Sequence, residues 1–467
     1  MRRAHTVEQV RAAEADLMAR LPEGTLMQRA ATGLAVAISN FLGRTYGARV
    51  VLLIGSGDNG GDALYAGVRL ARRGAQVTAV LLSSKAHEAG LDGLLTAGGR
   101  IGSTDDIPDA DVVVDGIVGI GGRPGLRPDA LAAVKLADEY GVPIVAVDTP
   151  SGVDVDTGET PEPHVRAALT VTFGTHKICH FIDPAASACG PVHLVDIGLD
   201  LPPAAVAALQ PADIRALYPV PTGESDKYSR GVLGLIAGST QYPGAAVIAT
   251  SGALSGPLGM VRYVGPDEVA RAVLAVHPEV VVGEGRVQAW AVGSGLNKDI
   301  IDRELFDRVT QQQDLPVVVD AGAIDVLDTD RAGRVLITPH AGELSLMLGV
   351  PREEIEARRL HYARYAAEEH QVIVLLKGST TVIAPADGST AFVNTNGTPW
   401  LATAGSGDVL AGLCGALAAA GLDETDAGAV AAYLHAAAAT LASASGPITA
   451  LAVAAALPEA TRQILQG

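Results

Sequence analysis

The tetrapeptide Gly-Ser-Gly-Asp occurs twice in this chain, at residues 55–58 and 405–408. The second copy runs directly into the apolar, alanine-rich segment 409–420, which predicts a buried helix. Small residues before a helix leave backbone N–H groups at its positive end, where they bind anions such as phosphoryl groups. Asp408 in this position is either a catalytic base beside that anion or simply a residue that starts the helix.

The first copy follows a β-rich run and continues as Gly55-x-Gly57-x-x-Gly60, the spacing of a dinucleotide-binding loop. A Rossmann domain also needs an acidic residue at the end of its second strand, but residues 77–82 lead into Ser83-Ser84-Lys85. Asp58 and Asp62 would also bring two carboxylates towards a pyrophosphate, which is unfavourable without a cation. These features disfavour an NAD-dependent dehydrogenase and favour a loop that serves a cation or acid–base chemistry.

Two more aspartates follow short β-branched runs in the same half of the chain. Asp115 follows residues 112–114, and Asp148 follows residues 144–147. Because the carboxyl ends of neighbouring parallel strands converge on one crevice, we expect both carboxylates to meet the Gly55 loop there. Each aspartate taken alone is equally compatible with capping a helix or a turn.

The C-terminal half contains Lys377-Gly-Ser-Thr-Thr381 directly after the apolar run 372–376, and the chain has no P-loop motif. A lysine charge with backbone amides can hold phosphates, although a tight turn with an exposed lysine has the same pattern. Thr338-Pro-His-Ala-Gly-Glu343 also begins a helix after a strand. His340 in that motif is compatible with a cap residue, a core histidine or a ligand contact.

Composition excludes several classes of function. The chain has 467 residues, of which 48% are hydrophobic and 18% charged, as expected for a globular protein of two domains. Its net charge of −18 argues against a general binder of nucleic acid or anionic membranes. The three cysteines lack C-x-x-C spacing, which indicates neither a disulfide framework nor a zinc site. Without a signal-peptide pattern or a membrane-length apolar stretch, we expect a cytoplasmic protein.

Strands alternate with helical segments in both halves, which predicts parallel sheets covered on both faces and an α/β class of two three-layer αβα domains. The predicted strands lie at 50–54, 77–82, 112–114, 144–147, 169–173, 232–237, 289–292, 316–319, 335–337, 372–376, 380–383 and 391–393. The last two strands flank Asp387-Gly388 and predict a hairpin. We also predict an amphipathic helix at the start of the chain and helices at 62–73, 204–209, 409–422 and 427–444. The proline-rich stretch 201–225 marks the domain boundary.

Four N-terminal motifs resemble the epimerase domain of bifunctional NAD(P)H-hydrate repair enzymes: Gly-Asp58-Asn59-Gly60-Gly61-Asp62, Val-Asp115-Gly-Ile-Val-Gly119, Val-Asp148-Thr-Pro-Ser151-Gly and Thr172-Phe-Gly-Thr-His-Lys177. The resemblance covers residues 1–210 and implies a Rossmann-like domain that interconverts R and S hydrates of NAD(P)H. It implies that Asp148 is the acid–base residue and that Asn59, Asp115 and Ser151 ligate K⁺. The implied substrate contacts are Asp58, Asn59, Gly60, Gly61, Asp62, Gly119, Ile120, Gly121, Gly122, Arg123, Pro124, Gly125 and Asp148.

The C-terminal blocks resemble the ADP-dependent NAD(P)H-hydrate dehydratase, a ribokinase-like fold: Lys227-Tyr-Ser-Arg-Gly231, Ala237-Gly-Ser-Thr-Gln-Tyr-Pro-Gly-Ala-Ala246, Val292-Gly-Ser-Gly-Leu296, Thr338-Pro-His-Ala-Gly-Glu343, Lys377-Gly and Gly405-Ser-Gly-Asp408. The implied dehydratase domain is 227–467, after a linker at 211–226. The resemblance implies that Asp408 is the base and that Glu343 organises Mg²⁺. The implied hydrate contacts are Ala245, Gly295, His340 and Asp408, and the implied ADP contacts are Lys377, Gly378, Ser379, Thr380, Thr381 and Gly407.

Three positions depart from the family patterns. Asp58 stands where the family usually has Asn, which adds a negative charge to the epimerase loop. Lys177 is able to offset that charge, but a lysine at a strand end is equally compatible with a solvated residue. Ser294 and Asn297 stand where the dehydratases more often have Pro and Gly, which leaves the conformation of that turn open.

The two resemblances together imply a bifunctional enzyme, an isomerase and hydro-lyase, that repairs NAD(P)H hydrates. Its S-hydrate substrate is dehydrated with ADP, which releases AMP and phosphate, and its cofactors are Mg²⁺ and K⁺. We expect a homo-oligomer that binds neither nucleic acid nor membranes. The alternative is a ribokinase-like small-molecule kinase whose N-terminal domain is a non-catalytic binding or assembly module.

Overall fold

The structure is a computed structural model that describes residues 1–310, 314–328 and 334–467. The chain divides into two compact units, one formed by residues 3–206 and the other by residues 1–2 and 207–467. None of the helices in these described ranges is long and apolar enough to cross a membrane.

The N-terminal part of the chain contains ten strands, seven of which form a parallel sheet with helices. Its strands are β1 (Arg2–His5), β2 (Arg49–Ile54), β3 (Gln76–Leu81), β4 (Arg100–Ile101), β5 (Val112–Gly116), β6 (Ile144–Val147), β7 (Leu169–Phe173), β8 (His176–Lys177), β9 (Val192–Val195) and β10 (Val206–Ala208). Its helices are α1 (Val7–Met18), α2 (Thr25–Leu42), α3 (Asp58–Arg72), α4 (Glu88–Thr96), α5 (Pro128–Glu139) and α6 (Ala185–Cys189). The sheet order is β4-β3-β2-β5-β6-β7-β9, and β1 pairs with β8.

Strand β2 shows why this sheet is covered on both faces. Val50, Leu52 and Ile54 pack in one apolar cluster, whereas Val51 and Leu53 pack in another. Since successive side chains of a strand point to opposite faces, an uninterrupted apolar run requires helices on each side. The prediction of a parallel sheet with both faces buried is confirmed.

Helix α3 begins at Asp58, four residues earlier than the predicted start at Asp62. A Cβ at position 60 would clash with the backbone oxygen of Gly55, which would lie only 2.6 Å away. Because Gly60 has no Cβ, the helix can start this early. The apolar periodicity that guided the prediction begins only after these small residues. As a result, Asp58, Asn59 and Asp62 occupy the first two turns of α3, directly beyond the end of β2.

The C-terminal unit is a larger sheet with helices. Its strands are β11 (Val232–Ile236), β12 (Met260–Tyr263), β13 (Val281–Val282), β14 (Ala289–Val292), β15 (Val317–Val319), β16 (Val335–Ile337), β17 (Ile373–Leu376), β18 (Thr381–Ala384) and β19 (Ala391–Asn394). Its helices are α7 (Pro211–Leu217), α8 (Pro243–Leu254), α9 (Asp267–Val276), α10 (Arg303–Thr310), α11 (Ala341–Leu348), α12 (Arg352–Ala357), α13 (Arg359–His370), α14 (Ser406–Ala419), α15 (Glu424–Ser443) and α16 (Ala450–Gln466). The strand order is β13-β12-β11-β14-β15-β16-β17-β18-β19.

Strands β11 to β17 are parallel to one another. Strand β18 is antiparallel to both of its neighbours, β17 and β19. The predicted hairpin around Asp387-Gly388 is confirmed, because Thr381 pairs with Asn394. The alanine-rich helices α14 and α15 are almost wholly buried. They are core helices, as their composition predicts.

Two further local predictions are wrong. Residues 2–5 form a strand rather than the start of a helix, and α1 begins only at Val7. Residues 206–208 form a buried strand rather than a helix; just before them, the backbone N–H of Ala205 donates to Ala4 O. Tertiary pairing here overrides local helix propensity. Within the proline-rich stretch, Pro211 occupies the first turn of α7, a position that suits proline.

Candidate active sites

A cavity of about 980 Å³ lies at the carboxyl ends of β2, β5 and β6 in the N-terminal unit. Among the predicted substrate contacts, its wall includes Asp58, Asn59, Asp62, Gly119, Ile120, Gly121, Gly122 and Asp148. Gly60, Gly61, Arg123, Pro124 and Gly125 are not part of this wall. Gly60 instead packs against the backbone of Gly55 and fixes the start of α3.

Asp148 is 5% exposed and follows β6 with a φ of 66°, a backbone conformation that costs about 1–3 kcal/mol outside glycine. Its Oδ1 accepts hydrogen bonds from Lys177 Nζ and, at 2.9 Å, from Thr172 Oγ1. His180 Nε2 donates to the backbone oxygen of Asp148 at 3.0 Å. Contacts from β7 and from the turn after β8 therefore hold this carboxylate and its unusual backbone in place.

Lys177 is buried rather than solvated, with 1% of its side chain exposed. Besides Asp148, its ammonium group donates to Thr172 Oγ1 at 3.0 Å and to Phe173 O at 3.1 Å. A buried ammonium group with three oxygen acceptors is fully compensated. The sequence alone does not show whether Lys177 is buried or solvated, because β8 lies next to Asp148 only in the folded chain.

Asp115 is completely buried at the end of β5 and faces Ser151. Ser151 Oγ donates to Asp115 Oδ1 at 2.6 Å, and the backbone N–H of Ser151 donates to Oδ2 at 2.8 Å. Burial raises the pKa of Asp115 to about 6, although these hydrogen bonds act in the opposite direction. Among the described residues, no cationic side chain pairs with this carboxylate.

The residues around Asp115 fit the predicted K⁺ site. Val118 O lies 3.2 Å from Ser151 Oγ, and a Cβ on Gly119 would meet Asn59 Oδ1 at 2.2 Å. Neighbouring residues thus offer carboxylate, hydroxyl, amide and carbonyl oxygens, and such oxygens are the ligands that hard cations prefer. A monovalent cation would also offset the burial of Asp115.

In the C-terminal unit, Gly405 precedes α14 with a φ of 86°, a conformation that favours glycine. Asp408 lies in the first turn of α14, and a Cβ on Gly407 would lie 3.3 Å from Lys377 Nζ. The helix N-terminus, the lysine and the aspartate predicted from the sequence therefore come together. This combination suits the binding of a phosphoryl group next to a base.

Asp320, at the end of β15, organises this region and was missed from the sequence. Lys377 Nζ donates to Asp320 Oδ1 at 2.9 Å, and Thr338 Oγ1 donates to the same oxygen at 2.7 Å. Ser294 Oγ donates to Asp320 Oδ2 at 3.0 Å. Asp320 therefore joins the ends of β14, β16 and β17 in one buried network.

Burial raises the pKa of Asp408 to about 7, and the negative charge of Asp320 adds to this effect. The nearby hydroxyl group of Ser294 and the charge of Lys377 lower that pKa, while the charge of Glu343 raises it. A carboxylate whose pKa lies near neutrality is well suited to accept a proton at physiological pH. The burial and raised pKa of Asp408 favour its interpretation as a base over its interpretation as a residue that only starts the helix.

His340 caps α11, and its side chain accepts from the backbone N–H of Glu343. Glu343 in turn accepts from the backbone N–H of His340 at 2.7 Å and lies 3.8 Å from Lys377 Nζ. The side chain of Glu343 is 20% exposed, beside the lysine. This position fits a carboxylate that binds Mg²⁺ through water, the usual mode beside a nucleotide phosphate.

The remaining predicted contacts lie at the same edge of the sheet. A Cβ on Gly295 would come within 2.5 Å of Ala245 Cβ, so the turn after β14 packs against the start of α8. Gly378 lies over Arg359, and Ser379 is exposed beside it in the turn between β17 and β18. Thr380 is buried, whereas Thr381 begins β18.

The two units define a two-site α/β enzyme, with one acid–base cavity and one site suited to phosphoryl transfer. A family model described as NAD(P)H-hydrate dehydratase matches residues 233–459, and one described as YjeF-related protein N-terminus matches residues 23–179. The chain belongs to the family of bifunctional NAD(P)H-hydrate repair enzymes.

Relatives that match most of the chain support this assignment. The bifunctional NAD(P)H-hydrate repair enzyme of Mycobacterium leprae is 46% identical over 465 residues, covering 96% of each chain. The enzyme of the same name from Corynebacterium glutamicum is 34% identical and covers 79% of this chain and 77% of its own. A Bacillus subtilis ADP/ATP-dependent NAD(P)H-hydrate dehydratase, co-crystallised with ATP and Mg²⁺, is similar in structure with a TM-score of 0.52. It is 30% identical and covers 56% of this chain and 99% of its own. The expected α/β class with a ribokinase-like C-terminal unit is confirmed.

Proposed function

We propose that this chain repairs hydrated NAD(P)H at two separate sites. The N-terminal cavity interconverts the R and S hydrates, and the C-terminal site dehydrates the S hydrate with ADP, which leaves as AMP and phosphate. The epimerase domain comprises residues 1–210, and the dehydratase domain comprises residues 227–467. The names of whole-chain relatives support both activities together.

The observation that carries the dehydratase assignment is Asp408 in the first turn of α14, beside Lys377 and the small residues 405–407. The hydrate carries a hydroxyl group on C6 of its nicotinamide ring, and hydroxide is a poor leaving group. Asp408 accepts the hydroxyl proton while the backbone N–H groups of 405–407 stabilise the transferred phosphoryl group. The electrons of the ring nitrogen then expel phosphate from C6, and loss of a proton from C5 forms the C5–C6 double bond and restores the reduced ring.

The nucleotide phosphates bind at Lys377 and the turn 378–381, with Gly407 on the opposite side. The hydrate lies against Ala245, Gly295 and His340. Glu343 would hold Mg²⁺, and the ion would supply positive charge at the phosphates. The Bacillus subtilis protein is described as ADP/ATP-dependent, which supports a nucleoside di- or triphosphate as the donor.

The observation that carries the epimerase assignment is the wall of the N-terminal cavity, where Asp148 lies among small residues. Asp148 moves a proton to and from the C6 hydroxyl group, and the cavity holds the nicotinamide ring. Asn59, Asp115 and Ser151 would hold K⁺, which would supply positive charge in the site. Asp58 adds a negative charge at the exposed start of α3.

One assay tests both activities. Mixed hydrate epimers are incubated with the full chain, Mg²⁺ and ADP, and the return of reduced-nicotinamide absorbance is followed. Conversion of both epimers supports the proposal, whereas conversion of the S epimer alone excludes the epimerase activity. The kinase alternative predicts a product that retains phosphate, so the release of free phosphate distinguishes the two readings. The assay is repeated with ATP to compare the two donors.

A further inference from the structure

Asp62 is a buried carboxyl group that the proposed reaction does not yet use. It lies near the start of α3, lines the N-terminal cavity and is 7% exposed. Its Oδ1 is buried and has no hydrogen-bond partner among the residues that the structure describes. An ionised carboxylate with an unpaired buried oxygen is strongly unfavourable, so the neutral acid is the favoured form.

The charged groups near Asp62 come from several elements: Asp58 on its own helix, Glu14 and Arg11 on α1, His87 before α4, Asp148 after β6, and Lys177 on β8. Burial raises the pKa of Asp62 well above its usual value, and the charges of Asp148, Asp58 and Glu14 add to this effect. Lys177 opposes them, but its ammonium group is bound to Asp148. Burial and these charges therefore favour the protonated form of Asp62, which has a proton to donate.

Asp148 is in the opposite situation within the same cavity. The ammonium group of Lys177 and the hydroxyl group of Thr172 both donate to its Oδ1, and such bonds stabilise the ionised carboxylate. Two carboxyl groups in one site, one paired with a cation and one with an unpaired buried oxygen, are an arrangement that suits a base and an acid. The cavity wall contains both groups.

We propose, building on the epimerase function above, that Asp62 is the acid that works with Asp148 as the base. In the hydrate, the hydroxyl group and the ring nitrogen N1 are bonded to the same carbon, C6. Asp148 accepts the hydroxyl proton as the C6–N1 bond breaks, and the electron pair of that bond goes to N1, which takes the proton of Asp62. C6 becomes an aldehyde carbon. Rotation about the C5–C6 bond followed by the reverse proton transfers closes the ring as the other epimer.

The test uses the full chain with Asp62→Asn, which keeps the shape of the side chain but removes the acidic proton. Purified R hydrate is supplied without nucleotide, and the S hydrate that appears is separated and quantified. We expect the rate to fall by about 10²–10⁴-fold, the range for loss of a general acid. The wild-type rate should fall at high pH as Asp62 loses its proton, and this alkaline limb should be absent from the residual activity of the variant.

Asp92→Asn is the matched control, since it makes the same change on the exposed surface of α4 and should leave the rate unchanged. Asp62→Glu restores an acidic proton and should recover part of the activity. Hydrogen exchange of α3 in each variant verifies that the N-terminal unit is folded. A higher KM with unchanged kcat and an unchanged alkaline limb would overturn the acid role and leave Asp62 as a binding contact. If the wild-type chain itself does not interconvert the epimers, the epimerase function and this inference both fail.

Discussion

Each unit buries an aspartate at a strand end, and the two differ in how its charge is compensated. Asp320 accepts from the ammonium group of Lys377 as well as from Ser294 and Thr338. Asp115 accepts from Ser151 in a similar way, but no ammonium group among the described residues reaches it. The C-terminal unit therefore supplies the cation from its own chain, whereas the N-terminal unit is suited to take one from solution.

The lysine of the N-terminal unit is used elsewhere, since Lys177 pairs with Asp148. In the C-terminal unit, Lys377 pairs with Asp320 and leaves Asp408 without an ammonium partner of its own. Among the described residues, Asp408 therefore has no paired cation to offset its burial, and burial raises its pKa to about 7. The lysine of each unit thus pairs with one buried aspartate, and in the C-terminal unit the aspartate without that pair is the one whose pKa burial raises to about 7.

The largest expected effect comes from Asp408→Asn, which removes the proposed base of the C-terminal site. The kcat of the ADP-dependent dehydration should fall by about 10²–10⁴-fold, because an amide cannot accept the hydroxyl proton. Epimerisation of the R hydrate by the same preparation should be unchanged and serves as the control. An unaltered dehydration rate would show that Asp408 only starts α14.

Lys177→Met tests the buried pair of the N-terminal unit. It leaves the Asp148 carboxylate buried without its cation, and we expect a loss of about 3–5 kcal/mol in the free energy of unfolding of this unit. Hydrogen exchange of β7 and β8 measures that loss. The exposed Lys135→Met is the control, and Lys177→Met combined with Asp148→Asn should recover much of the stability. If the double variant does not recover stability, Lys177 acts through packing rather than through its charge.

Asp320→Asn tests the corresponding pair of the C-terminal unit. Removing the negative charge of Asp320 frees Lys377 to approach Asp408, and both changes favour the ionised base. Because the base works when ionised, the rise of the dehydration rate with pH, expected near pH 7 in the wild type, should move by about 1 unit towards acid. The KM for ADP should also rise, since Lys377 is no longer held towards the phosphates. Asp267→Asn, an exposed change on α9, should alter neither quantity.

The residues that sequence reasoning found lie directly after an apolar strand or within a loop of small residues. Asp115, Asp148, Lys377 and Asp408 are all of this kind, because parallel strands bring their carboxyl ends to one edge. Asp320 follows Val317–Val319 in the same manner, so the signal was present and was not used. The alternation of strands and helices was sufficient for the fold class.

What the sequence could not give depends on contacts between distant segments. Lys177 is 29 residues from Asp148, and its burial follows from the return of the chain at β8. The raised pKa of Asp62 depends on the burial of its carboxyl group and on charges from other elements. The strand at 206–208 likewise requires backbone pairing with residues near the start of the chain. Local patterns identify chemical groups, but tertiary packing sets their charge states.

The smallest expected effect is that of Ser151→Ala, which weakens the proposed cation site of the N-terminal unit. The hydroxyl group donates to Asp115 Oδ1 and accepts from the backbone N–H of Val118 at 3.0 Å, so its loss should cost about 1 kcal/mol. We expect wild-type epimerisation to be faster in K⁺ than in Na⁺ at equal ionic strength, with a K⁺ midpoint about 5-fold higher in the variant. The rate of dehydration should not change in Ser151→Ala, because the buried Asp320 of that site is paired with Lys377. An unchanged K⁺ midpoint would place the cation elsewhere and remove the contrast between Asp115 and Asp320.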